Sequence, residues 1–383
     1  MFYIIRFVFC IWFIASVSFI VQAQPNASLS PEIEQMHENA IQYAKRGNYK
    51  DALLIYKQMT TLQPTNSVLQ KEVGEIYFLN KDYKEAVKKL KPLLKKLSQQ
   101  ERLTTFNSAT SIPEIVAGSQ LYLKKYHASF KTIKQGIANY PNANGGLYTI
   151  KGLVYEDKHK KLKALNTYIR GIKQDTGCYS NYYYAAKIYL HSRNVVPGLL
   201  LAEMYLNLDF DADMNTQKTD LKKEMFEKYK ELYENLLVSK EPNYNKAQSK
   251  AITFEDKVTA ILKKLTPVLS DGITTENLTM FRTRFLIEWL DTANYTPFPL
   301  FDYEHMLAAN GYFDIYNQKL FGETEDTLQN KAWNQFHAGD IQRLDSFINA
   351  NKMKTDVFIP FFNKRYYKKS FFKVKKMKGL SEV

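Results

Sequence analysis

The chain has 383 residues, 45% hydrophobic and 24% charged, with a formal net charge of +14. Those proportions are ordinary for a folded soluble protein, and the length accommodates two or more domains, or one extended solenoid with a further part. Only 15 glycines and 12 prolines disfavour a turn-rich all-β sandwich, while 27 tyrosines and 24 phenylalanines suit packed helices.

Met1–Arg6 gives a short basic start, Phe7–Val21 an apolar run, and Val21-Gln22-Ala23 small residues at the cleavage positions. This order predicts a signal peptide over 1–23, removed near Ala23, with a retained membrane anchor as the alternative. Cys10 lacks the small residue that a lipoprotein signal places before its cysteine. The mature chain then keeps Cys178 alone, so packing and not an internal disulfide must hold it together.

Gln24–Ser30 reads as a leader, and Pro31 sits near the start of a helix, where its missing N–H costs nothing. A first repeat carries Ala40, Tyr43, Gly47, Tyr49, Ala52 and Tyr56 and closes at Gln63-Pro64. A second echoes it with Gly74, Tyr77, Tyr83, Ala86 and Leu90. The spacings Tyr43 to Tyr77, Tyr49 to Tyr83 and Ala52 to Ala86 are each 34. After a polar stretch, Ser98–Ala109, a looser third repeat has Ala117, Tyr126, Ser129 and Ile133. A fourth has Tyr148, Gly152, Tyr155, Ala164, Tyr168 and Gly171, and a fifth Tyr182, Ala186, Tyr189 and Ala202. Small residues let two helices approach and aromatics fill the gap to the next pair, so the aromatic stripe is expected to be core.

Small residue, aromatic, Gly-x-Tyr, Ala, aromatic and terminal Pro at this period resemble the tetratricopeptide repeat (TPR) family over Pro31–Leu208. The resemblance implies an all-α fold: an α-solenoid of about five helical hairpins over 31–208, followed by a further helical region. There, Thr219–Ser239 is amphipathic, with Leu221, Met225, Tyr229, Leu232 and Leu236 on one stripe. Phe254–Leu269 and Glu276–Ala293 are two more helices, and Tyr295-Thr296-Pro297-Phe298-Pro299 is a rigid break that closes a helical region over 209–299. Two degenerate hairpins are expected over 300–351, turning at Asn310-Gly311 and Ala338-Gly339-Asp340. A basic aromatic tail fills 352–383.

Little in the sequence points to catalysis. Asp209, Asp211, Asp213 and Asn215, with Asp220, imitate a calcium loop in spacing. However, Met214 stands where such a loop needs Gly, and Asp220 is too short for the bidentate Glu. The run reads as a solvated linker that caps a helix. The six histidines lie singly, without ligand spacing, so no metal site and no cofactor is expected. Ser370 and Lys373 share the spacing of some acyl-transfer enzymes without the companion motifs. The chain is therefore expected to be non-enzymatic.

In TPR arrays the first helix of each repeat lines a groove that holds an extended or helical peptide. Carried onto this sequence, the pattern implies a groove of His37, Ile41, Lys71, Glu75, Phe78, Thr149, Leu153, Glu156, Tyr183, Lys187 and His191. Glu38, Ile41 and Glu72 fall where the carboxylate clamp of TPR co-chaperones needs basic or amide groups, which disfavours a chaperone-tail receptor. The tail offers a rival. Residues 352–378 hold ten lysines and arginines against the single acid Asp356. Among them Lys364, Arg365, Lys368, Lys369, Lys373, Lys375, Lys376 and Lys378 are interleaved with aromatics, a pattern suited to an anionic membrane, glycan or acidic protein. The expected role is an exported scaffold, periplasmic or envelope-associated, that binds a protein or peptide in its groove. The alternative is a surface-associated binder working through its C-terminal region and tail. Nucleic acid is a poor partner for an exported protein.

Overall fold

The computed structural model describes residues 31–96, 111–139, 145–192, 195–208, 216–238, 253–291 and 295–355. Every regular element among them is helical. In chain order these are α1 (Pro31–Lys45), α2 (Tyr49–Leu62), α3 (Ser67–Leu79), α4 (Tyr83–Leu90), α5 (Leu93–Lys96), α6 (Ile112–Tyr122), α7 (Tyr126–Asn139), α8 (Gly145–Asp157) and α9 (Lys161–Gln174). There follow α10 (Tyr179–Leu190), α11 (Val196–Leu208), α12 (Thr216–Val238), α13 (Phe254–Lys264), a 3₁₀ turn (Thr266–Leu269) and α14 (Thr275–Leu290). The last are α15 (Pro299–Ala309), α16 (Phe313–Glu325), α17 (Thr327–Phe336) and α18 (Ala338–Ala350). The expected signal, the polar stretch Ser98–Ala109, the Asp209–Asn215 run and the tail beyond Thr355 lie outside the described residues.

Consecutive helices pair, and one small-to-large contact recurs in each pair. Ala40 with Tyr56, Gly74 with Leu90, Ala117 with Ile133, Gly152 with Tyr168 and Ala186 with Ala202 are each 16 residues apart, and all ten are buried. At Gly74 a Cβ would lie 2.3 Å from the Leu90 side chain, which is why this position carries no larger residue. The third residue of the set, twelve after the first, is equally small: Ala52, Ala86, Ser129, Ala164 and Gly198. The looser third repeat keeps the contact, with the Ser129 hydroxyl donating to the Ala117 carbonyl at 2.9 Å.

The helix pairs turn alike. Gly47, Lys81, Lys124, His159 and Gly311 all have positive φ. At each, the N–H of that residue bonds the carbonyl three back and the next N–H bonds the carbonyl five before itself, as in Gly47 to Ala44 at 2.9 Å and Asn48 to Tyr43 at 2.9 Å. This double bond closes a helix through a left-handed residue and satisfies carbonyls that would otherwise be orphaned. Glycine reaches that conformation without a Cβ clash, whereas Lys81, Lys124 and His159 do so under strain. Gly311 makes the expected turn of the α15–α16 hairpin. Gly339 does not serve as one. It lies in the first turn of α18, and the joint before it falls at His337.

The chain divides into two contact units, one ending at Asn181 and the other starting at Tyr182. In the first, α2 packs on α3, α4 on α6 and α7 on α8, and the first helices α3, α6 and α8 touch in succession. The stack is thus an all-α array of hairpins, each sealing the next. Its apolar core follows the same order. One cluster joins Tyr56 and Met59 to Leu69 and Ile76, and another joins Leu90 and Leu93 to Ile115 and Val116. A third joins Ile133 to Leu147 and Val154.

In the second unit α11 is buried from Val196 to Asn207. A helix apolar on every side belongs at the centre of its neighbours, and α12, α13 and α15 pack around it. The α12 stripe is as expected: Leu221, Met225, Tyr229, Leu232 and Leu236 are all buried. The predicted helix Phe254–Leu269 tightens to 3₁₀ after Lys264, where Pro267 cannot donate to an α-helical bond. Phe254, Phe285, Trp289, Phe298 and Phe301 form one aromatic cluster, with Phe298 and Phe301 centroids 4.8 Å apart.

Candidate partner-binding face

In the first unit the first helices α1, α3, α6 and α8 present the positions expected to line a groove. His37 on α1 is half-buried, and its Nε2 lies 2.9 Å from Glu72 of α3. Burial alone would lower the His37 imidazolium. The Glu72 carboxylate, with Glu38 behind it, more than offsets this and holds the group above its ordinary value. Ile41, one turn on, is half-buried.

Lys71 is only 6% exposed, and its Nζ lies 3.4 Å from Glu75. Burial raises the Glu75 carboxyl, with Lys71 opposing and Glu72 adding to the shift. Farther along, burial also raises Glu114, against the two hydrogen bonds from Ser111 that form the α6 capping box. Asp175 accepts from the Gly145 N–H at 3.3 Å.

Three expected groove residues are packing instead. Phe78 is buried between hairpins, with its ring 5.5 Å from Tyr83 and 6.0 Å from Tyr122. Gly118 leaves room for it, since a Cβ there would come within 3.3 Å. Thr149 is buried, donating to Asn181 Oδ1 at 3.0 Å and meeting Ser180 Oγ at 3.0 Å. Tyr183 is buried in the second unit, its ring 5.1 Å from Tyr205. The fourth and fifth repeats put bulky or hydroxyl side chains where the array is tightest, and these turn inward.

Leu153 packs partly against the third core cluster, and Glu156 accepts from the Tyr168 hydroxyl at 2.6 Å. In the second unit Lys187 pairs with Glu224 of α12, and His191 Nε2 lies 3.2 Å from the same carboxylate. His191 stays 59% exposed. Solvent therefore reaches His37, Ile41, Glu75, Leu153, Glu156, Lys187 and His191 to differing degrees. The eight tail cations lie outside the described residues.

A set of acids was missed as partners: Glu72, Asp157 and Glu224. Each bridges neighbouring hairpins or helices at a sequence separation near the repeat length, as Lys124 does to Asp157 at 2.6 Å with Tyr126 on the same carboxylate. A search for opposite charges one repeat apart would have found them. Cys178 is buried, near Ser180 Oγ at 3.3 Å, and burial pushes its thiol up to about 12.

Among the described residues, no group of three or more His, Cys, Asp or Glu could hold a metal ion. No helix among them is long and apolar enough to cross a membrane. No protein-family model matches the chain, and no curated protein matches it. The array is a helical repeat on its own geometry.

Proposed function

We propose that the chain is an exported, non-enzymatic scaffold of tetratricopeptide type that binds a protein or peptide along the first helices of its hairpins. The observation that carries this reading is the 16-residue small-to-large contact, repeated in five hairpins that stack second helix on next first helix. Such an array contributes an extended face and not an enclosed pocket. The half-exposed row of His37, Ile41, Glu75, Leu153 and Glu156 mixes apolar and charged groups, as recognition of a peptide requires.

The test is capture of envelope proteins by wild type and by Ile41→Asp. This residue lies on the face and outside the small-to-large contacts, so the helical circular dichroism should be unchanged. Loss of a specific captured protein supports the groove. Identical capture by both proteins overturns it. The second reading, an envelope-surface binder, is favoured by the ten cations of residues 352–378. Deleting residues 363–383 should then abolish salt-sensitive binding to anionic vesicles, and retained binding would remove the tail from consideration.

A further inference from the structure

Inside the second unit, one guanidinium faces two carboxylates. Arg282 of α14 donates through the same Nη2 to Glu203 of α11 and Glu304 of α15, and through Nη1 to Asn317 of α16. Glu203 also accepts from the Tyr316 hydroxyl at 2.8 Å, which in turn accepts from Asn207 at 2.8 Å. Glu203 is 1% exposed, Glu304 4% and Arg282 6%. The rings of Phe313, Tyr316 and Phe321 surround the guanidinium at 5.3, 5.9 and 5.6 Å.

The charges facing this point can be named helix by helix. They are Glu203 from α11, Arg282 from α14 and Glu304 from α15, with the phenols Tyr229 from α12 and Tyr316 from α16. From α13 come only Val258 and Leu262. One cation thus meets two acids in a dry interior, and a surplus buried negative charge costs far more than a surface one. Two carboxylate oxygens that share one Nη2 are close enough to share a proton.

We propose that Glu203 and Glu304 hold one proton between them, and that its loss loosens the helices of the second unit, so that the cluster is a proton-operated latch. Burial raises Glu304 well above the ordinary glutamate value of 4.5, Glu203 adds to the shift and Arg282 opposes it. A cavity of about 30 Å³ adjoins the latch, lined by Arg282 and Glu304 together with Leu199, Phe281, Phe285 and Phe301. That is room for about one water molecule beside the charge once the proton leaves.

The sign follows from linkage. An acid raised in the folded state contributes stability that is complete below 4.5 and is lost as the pH climbs through its folded value. Hydrogen exchange of peptides spanning residues 275–325 reads this in the full chain, between pH 5 and 9. At each pH, wild type is compared with Glu304→Gln, which mimics the protonated acid and cancels the chemistry of exchange itself. Near pH 5 the two should open alike. With rising pH wild type should open more, by up to about tenfold per pH unit for one proton released.

Glu203→Gln removes the same surplus charge and should flatten the profile equally, so the test survives if one variant misfolds. Glu288→Gln, on the surface pair with Lys264 at 2.7 Å, should leave the wild-type slope in place. A wild-type-to-variant ratio that stays constant from pH 5 to 9 for both Gln variants would overturn the latch.

Discussion

Tyr168 occupies the space that Gly152 leaves open: a Cβ on Gly152 would stand 2.0 Å from Tyr168 Cε1. The ring is fully buried, and its hydroxyl donates to Glu156 on the same helix as the glycine. Gly152→Ala should therefore force α8 and α9 apart. Overpacking of this kind costs about 1–3 kcal/mol. Thermal unfolding should show the loss, and adding Tyr168→Leu should return part of it. Additive losses in the double variant would mean that the two residues do not press on each other.

At the turns, strain is unevenly spread. Lys81 holds φ of 66° where Gly47 holds 77° in the repeat before it. Lys81→Gly should stabilise the first unit by roughly 0.5–1 kcal/mol, and Gly47→Ala should cost about 1 kcal/mol. Denaturant midpoints will show whether the two substitutions move in opposite directions, as the shared turn requires.

His37 and Glu72 tie α1 to α3, and their bond responds to pH. Because the folded imidazole sits above its ordinary value of 6.5, the pair contributes stability that is complete below 6.5 and is lost as the pH rises through the folded value. An NMR titration should place the His37 midpoint above 6.5. Glu72→Gln should bring it below, since burial then acts without the opposing carboxylate. A midpoint that the substitution leaves in place would show that the ring is not paired in solution.

The buried Cys178 thiol should resist alkylation at pH 8 in the native protein, because the thiolate is the nucleophile and burial raises this group to about 12. In denaturant it should react at the rate of a free cysteine. Rapid native labelling would contradict the packing of Asp175, Thr149 and Ser180 around it.

Much of the hairpin array was legible in the sequence because its cause is local. Ala40, Gly74 and Gly152 are small for one reason, and their partners follow 16 residues later at a fixed helical distance. The turn at Gly311 was legible by the same chemistry, whereas Gly339 misled. A glycine after Ala338 reads as a break, yet the first turn of a helix tolerates it. The face was less legible. Phe78, Thr149 and Tyr183 occupy positions that a repeat pattern assigns outward, and each is turned inward by a neighbour specific to this chain: Tyr122, Asn181 and Tyr205. The Glu203–Arg282–Glu304 cluster left no trace in the pattern, since its members are 22 and 79 residues apart and belong to different helices.

The burial of α11 on every side has a consequence for the order in which the protein can be made. Leu199 and Leu200 share a cavity lining with Leu232, Val258, Phe285 and Phe301. Synthesis proceeds from the N-terminus. The first unit can close hairpin by hairpin as it emerges, since each contact there waits for only 16 residues. By contrast, α11 waits about a hundred residues for Phe301, with its leucines uncovered meanwhile. Such long waits slow folding and invite aggregation. The growing chain is thus most exposed to misassembly, and most in need of a chaperone, while residues between 209 and 301 are being added.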